Sequence, residues 1–199
     1  MTLLLALQVV IVVSGLITTV PQVLRARHDV EGLALPTWTG FIAVSTAWMA
    51  YGVAVGDPLQ LVVNVPIIIL DLVIIKAAWP SATPRVRRGS VGFAIGVLIV
   101  SVSAALGLGS TAAGLVAICV TMAQMAPQVV AVVRTANPTG VSVATWLLLA
   151  GNQAVWVAYG ALDGQPLLAT NATIMGSLGL LIAMLTRHRT QRAAAVPTA

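Results

Sequence analysis

The chain has 199 residues, of which 59% are apolar and only 8% charged, with a mean hydropathy of +1.01 and a net charge of +5. A soluble domain carries about 25% charged residues. So few charges cannot cover a water-exposed surface, which excludes an ordinary soluble protein and makes lipid the main solvent.

In chain order, the opening "MTLLLALQVVIVVSGLITTV" has no basic leading segment and no clear cleavage site, so it reads as a retained first span over roughly residues 3–22 rather than a signal peptide. Further stretches of membrane-crossing length are expected at 36–55, 58–77, 91–108, 111–133, 141–161 and 166–186. Residues 89–133 carry no charge and are long enough for two helices around the turn "GLGST" (107–111), which brings the count to seven spans. The single Cys119 lies in an apolar run; it has no intrachain disulfide partner and no metal-ligand spacing around it.

The bases settle the expected orientation. Arg25 and Arg27 follow span 1, Lys76, Arg85, Arg87 and Arg88 follow span 3, Arg134 follows span 5, and Arg187, Arg189 and Arg192 follow span 7. The alternate turns hold only Asp57 and Asp163. Positive charge is retained on the cytoplasmic side, so the N-terminus is expected outside and the C-terminus in the cytoplasm. The net charge thus needs no nucleic-acid partner; orientation and attraction to anionic membrane lipid account for it.

Two stretches share a Pro-Gln pair after an apolar run: "TTVPQVLRAR" (18–27) and "QMAPQVVAVVR" (124–134). The residues C-terminal to the two pairs also match. Gly32 aligns with Gly140, Trp38 with Trp146, Trp48 with Trp156, Tyr51-Gly52 with Tyr159-Gly160, Pro58 with Pro166 and Asn64 with Asn171. That order of rare residues points to a duplicated unit of three spans. A three-span unit ends on the side opposite its start, so span 4 is expected to be a linker that restores the orientation of the second copy. The expected division is a first three-helix repeat at 1–79, a cytoplasmic loop and linker helix at 80–109, a second repeat at 110–187 and a disordered basic tail at 188–199.

On these residues the chain resembles the PQ-loop superfamily, and within it the SWEET and half-size SemiSWEET (MtN3/saliva) sugar transporters. The resemblance covers all but span 4 and the tail. It implies an all-α integral membrane protein of seven transmembrane helices in a 3+1+3 arrangement, with two parallel three-helix bundles and a site between them near the midplane.

Several residues carry candidate roles. Pro21 and Pro127 each delete a backbone donor and free the carbonyls of Ile17 and Ala123, which in lipid must face protein or a cavity. Gln22 and Gln128 could satisfy such freed groups nearby; the competing reading is a plain helix terminus near the interface. The resemblance adds a hinge role for both pairs and for Pro36 at the start of span 2, although the counterpart of Pro36 is Ala144. Trp48 lies before Asp57 and Asn64 after it, so at about 1.5 Å rise per residue both sit roughly 10–14 Å below the outer turn. Trp156 and Asn171 fall similarly around Asp163. An indole face stacks on the C–H face of a sugar ring, and a carboxamide offers two donors and an acceptor to hydroxyls. The competing readings are a lipid belt for the tryptophans and interhelical bonding for the asparagines. The resemblance assigns these matched positions to the sugar site.

Tyr51 and Tyr159, one turn further out, could gate the outer mouth or anchor at the interface. Asn152 and Gln153 align with Val44 and Ser45, so a pocket that includes them is asymmetric. Trp38, Trp79 and Trp146 fit an interfacial belt near cytoplasmic span ends. Asp71 in "VPIIILDLVIIK" is the one charge within a span. It could bind a driving proton, or pair with Lys76 or a backbone N–H; its place nearer the cytoplasmic face favours the structural role. His28 and His188 lie outside the spans and no catalytic or metal cluster exists, so an enzyme, a cofactor and a metal are not expected.

The expectation is a facilitative uniporter of a small neutral mono- or disaccharide in the plasma membrane, with which a homo-oligomer is compatible. The alternatives are a proton-coupled transporter of amino acids or other small metabolites, or a non-transporting receptor of the same superfamily.

Overall fold

The computed structural model describes residues 2–195, which form seven helices and, among the described residues, no strand. They are α1 (Leu3–Ala26), α2 (Leu35–Val55), α3 (Leu59–Ala78), α4 (Pro84–Gly107), α5 (Ser110–Arg134), α6 (Val143–Leu162) and α7 (Pro166–Ala195). Hydroxyls start three of them. Thr2 accepts the N–H of Leu5 (3.3 Å), Thr83 that of Val86 (3.3 Å) and Ser142 that of Thr145 (3.2 Å), each relieving an orphan donor of the first turn.

Three boundaries depart from expectation. α4 begins at Pro84 rather than at 91, because Thr83 caps it and Pro84 is pre-set for a first helical turn. Arg85, Arg87 and Arg88 therefore belong to the helix. α7 continues through the stretch from 188 expected to be disordered, as far as Ala195; its alanines and arginines extend an established helix readily. Residues 196–199 lie outside the described residues. Both Pro-Gln pairs sit inside helices that run on, α1 to Ala26 and α5 to Arg134, so neither marks a terminus.

Six helices are long and apolar enough to cross a membrane, one fewer than the seven spans expected; α6 is the exception. Asn152 and Gln153 in its middle lower its hydropathy, and both are buried.

α3 lies against both α1 and α2, which do not touch each other, and α7 lies against both α5 and α6, which likewise do not touch. Two seams join these groups, α1 with α6 and α2 with α5. α4 contacts only α2 and α5. Short connections reverse each successive helix, so the loops at 27–34, 79–83 and 135–142 share one end, the Pro-Gln end, with every Lys and Arg near it.

The distribution of side chains is inverted relative to a water-soluble bundle. Val9, Val13, Ile17 and Leu24 of α1, Val62, Ile69 and Leu72 of α3, and Ile95, Ile99 and Val102 of α4 face outward, while Gln22, Gln60, Asp71, Gln124, Gln128, Asn152 and Asn171 are buried. An apolar exterior around a polar interior suits hydrocarbon, where polar groups must be met inside the protein.

Candidate functional site

A central cavity of about 90 Å³ opens between α1, α2, α3, α6 and α7. Trp48 and Asn64 reach it from the first half of the chain, Trp156 and Asn171 from the second. All four are at least nine-tenths buried, which separates them from a lipid-facing belt. Asn64 Nδ2 donates to Gln60 O of its own helix (2.7 Å). Asn171 Oδ1 and Trp48 Nε1 are buried without a partner in the protein.

On α3 the lining residues Gln60, Asn64, Ile67 and Asp71 recur at helical spacing and form one stripe. Asp71 is 1% exposed and lines the cavity; Oδ2 has no hydrogen-bond partner. The expected partners, Lys76 and a backbone N–H, do not reach that oxygen: Lys76 lies exposed further along α3 and turned away by the helix period. Among the described lining residues Asp71 is the one ionisable side chain.

Asn152 and Gln153 also line the cavity, which makes it asymmetric. Asn152 is committed to the α1–α6 seam, where Nδ2 donates to Ser14 Oγ (2.7 Å) and more weakly to Ile11 O (3.3 Å). Tyr51 and Tyr159 do not line it. They stand edge-on to the tryptophans one turn below, with ring centroids 5.2 Å apart for Trp48–Tyr51 and 5.9 Å for Trp156–Tyr159. Both tyrosines are buried rather than anchored at a wet interface. Each half thus supplies a T-shaped aromatic pair, the favourable geometry for two ring quadrupoles.

Trp38 and Trp146 correct the sequence reading. They are 2% and 1% exposed, and they line the cavity rather than forming a belt. Their rings meet at 6.3 Å, and Phe41 packs on both, at 5.2 and 6.2 Å. This aromatic layer closes the cavity on its Pro-Gln side. Trp79 does fit an interfacial place: it is half-buried beneath the Arg87 guanidinium, 5.5 Å from the ring centroid, and Arg87 also donates to Trp79 O (2.9 Å) and Pro80 O (3.0 Å). Gln60, Thr18, Thr19 and Thr145 complete the polar lining and are absent from the sequence-based expectation; the α3 stripe through Asn64 is the signal that points to Gln60.

Beyond the aromatic layer the two long loops are clasped together. Gln22 Nε2 donates to Gly140 O (2.8 Å) and its Oε1 accepts Ser142 N (2.8 Å). Gln128 Nε2 donates to Gly32 O (2.9 Å) and its Oε1 accepts Ala34 N (3.1 Å). The glutamines therefore serve loop backbone groups about a hundred residues away instead of the carbonyls freed by the neighbouring prolines. Gly140 N donates directly to Glu31 O (2.9 Å), and the Thr139 hydroxyl donates to Asp29 Oδ2. A Cβ at Gly140 would fall 2.4 Å from Glu31 N, so only glycine permits this approach. Pro36 and Pro127 lie off the cavity, in a groove between α2, α4 and α5.

These features define a class: a multi-pass helical membrane protein with a buried chamber walled by aromatic rings and carboxamides. No family model, curated protein or solved structure matches the chain.

Proposed function

We propose that this protein is a facilitative transporter that moves a small neutral sugar across the plasma membrane by alternating access, in the manner of the PQ-loop superfamily and the SWEET-like transporters it resembles. In this reading α1–α3 and α5–α7 are parallel copies of one three-helix unit, α4 is the linker, and the Pro-Gln end is cytoplasmic. The matching neighbour pattern supports the duplication: the third helix of each triplet separates the first two, and the seams pair first with second helix both ways.

The observation that carries the function is the convergence of repeat-matched residues, Trp48 with Trp156 and Asn64 with Asn171, on one buried cavity with unpartnered polar atoms. The clasped loops close the Pro-Gln end, so transport requires them to part, with Pro21 and Pro127 as the hinges.

Uptake of radiolabelled hexose into proteoliposomes tests this. The expected result is saturable equilibration that an imposed pH gradient does not drive uphill, and that Asn171→Ala weakens. A second reading rests on Asp71, whose side chain lines the same chamber with Oδ2 unpartnered: proton-coupled transport of an amino acid or other small metabolite. Gradient-driven accumulation abolished by Asp71→Asn would replace uniport with that mechanism.

A further inference from the structure

α4 touches only the α2–α5 seam, and where it does so it forms a second recess. This groove encloses about 410 Å³ and is lined by Pro36 of α2, by Arg85, Val86, Gly89, Ser90 and Phe93 of α4, and by Ala123, Gln124 and Pro127 of α5. It lies at the Pro-Gln end, where α4 begins. No helix crosses the α1–α6 seam.

The lining has three chemistries. Val86, Phe93 and the two prolines give an apolar wall facing outward toward the bilayer. Ser90 Oγ and both carboxamide atoms of Gln124 are buried without a protein partner, although those residues are only 3% and 1% exposed. Unsatisfied buried polar atoms are costly and rare, so three in one groove point to a ligand that offers both donors and acceptors or bridging oxygens. Arg85 supplies the charge. Of its two neighbours, Arg87 is already committed to Trp79 and Pro80, and Arg88 does not line the groove. No acidic residue lines it among those described.

We propose that this groove is a binding site for an anionic phospholipid. The headgroup phosphate pairs with Arg85, the glycerol and ester oxygens meet Ser90 and Gln124, and an acyl chain lies along Phe93 and Val86. Such a lipid would wedge α4 against the Pro127 hinge of α5 and leave the Pro21 hinge untouched. The inference does not depend on the identity of the transported solute.

The test uses purified full-length protein stripped of lipid in detergent. Binding of short-chain phosphatidylglycerol, short-chain phosphatidylcholine and inorganic phosphate is titrated by native mass spectrometry. Phosphatidylglycerol is expected to bind about 5-fold tighter than phosphatidylcholine, the factor for one arginine near a membrane surface. Arg85→Gln should remove that preference while Arg192→Gln, on α7, which does not contact α4, keeps it. Gly89→Leu, at a position with open space around its Cβ, should fill the groove and weaken both lipids. Equal affinity for the two lipids would overturn the proposal, as would equal effects of Arg85→Gln and Arg192→Gln, which indicate diffuse surface charge. Inorganic phosphate displacing phosphatidylglycerol at equal concentration would also overturn it, in favour of a free-anion site.

Discussion

Gln22 and Gln128 occupy matched places in α1 and α5 and make matched bonds. Each donates to a glycine carbonyl, Gly140 or Gly32, and each accepts the N–H two residues on, Ser142 or Ala34. Their prolines have different surroundings. α1 touches only α3 and α6, whereas α5 is also covered by α4, and Pro127 lines the groove that α4 creates. The two halves of the chain therefore share the clasp, while α4 braces only the α2–α5 side. On the transport reading, a gate with matched clasps would then have unequal hinges, with Pro21 the less covered of the two.

The largest effect should come from cutting the clasp. Gln22→Ala strands Gly140 O and Ser142 N, and Gln128→Ala strands Gly32 O and Ala34 N, at about 1–3 kcal/mol for each group left buried and unpaired. Each variant should lose roughly 2–4 kcal/mol in reversible unfolding by denaturant, and the two losses should agree within about 1 kcal/mol. A large loss at Gln22 with none at Gln128 would break the equivalence of the two halves.

A smaller loss is expected from crowding the loops. Gly140→Ala puts a Cβ against the backbone of Val30 and Glu31, and overpacking of that kind costs about 1–3 kcal/mol. Gly56 provides the control for backbone conformation alone: its φ is +74° but nothing lies within 4 Å of its Cβ site. Melting temperatures of Gly140→Ala, Gly32→Ala and Gly56→Ala separate the contributions. Gly32, with φ +78° and Pro138 Cβ 2.8 Å away, should suffer from both. If Gly56→Ala melts as low as Gly32→Ala, loop contact contributes nothing.

The chamber sharpens the comparison from the functional side. Asn64 already spends a donor on Gln60 O, while Asn171 Oδ1 is unpartnered. On the transport reading Asn171→Ala should raise the apparent KM by about 3- to 10-fold, the worth of a neutral hydrogen bond, and Asn64→Ala by less. Equal effects in proteoliposome uptake would show that the repeat-related carboxamides bind alike.

Much of this arrangement is legible in the sequence because it is local or periodic. Counting residues from Asp57 and Asp163 brings Trp48, Asn64, Trp156 and Asn171 to one depth, and the structure joins them in one cavity. Depth alone argues for a structural Asp71, although its i+7 relation to Asn64 already puts both on one face of α3. Trp38 and Trp146 mislead for a different reason. Distance from a helix end places them at an interface, but the loops at 27–34 and 135–142 close over them through contacts that span about a hundred residues. Nothing in local sequence reports such contacts. The same holds for Gln22 and Gln128, whose side chains reach loops about a hundred residues away.

The smallest effect distinguishes the two loops by charge. Asp29 in the first loop aligns with Asn137 in the second, so the clasp has an ionisable group on one side only. The Thr139 hydroxyl on Asp29 Oδ2, then the N–H of Glu31 on Oδ1, hold this carboxyl below the ordinary value of 3.8. A group whose pKa is lowered by folding adds stability above its unfolded value, and that stability is lost as pH falls through the folded value. The protein should therefore melt at a lower temperature at pH 3 than at pH 6, and part of the drop belongs to this contact. Thr139→Val removes the larger of the two bonds, so it should lower the melting temperature at pH 6 more than at pH 3 and shrink the difference. Because Asp29 is half-buried, water screens the contact and the change should stay below that of Gly140→Ala. An unchanged pH difference in Thr139→Val would remove Asp29 from the clasp and leave it held by the two glutamines and the Gly140–Glu31 backbone bond.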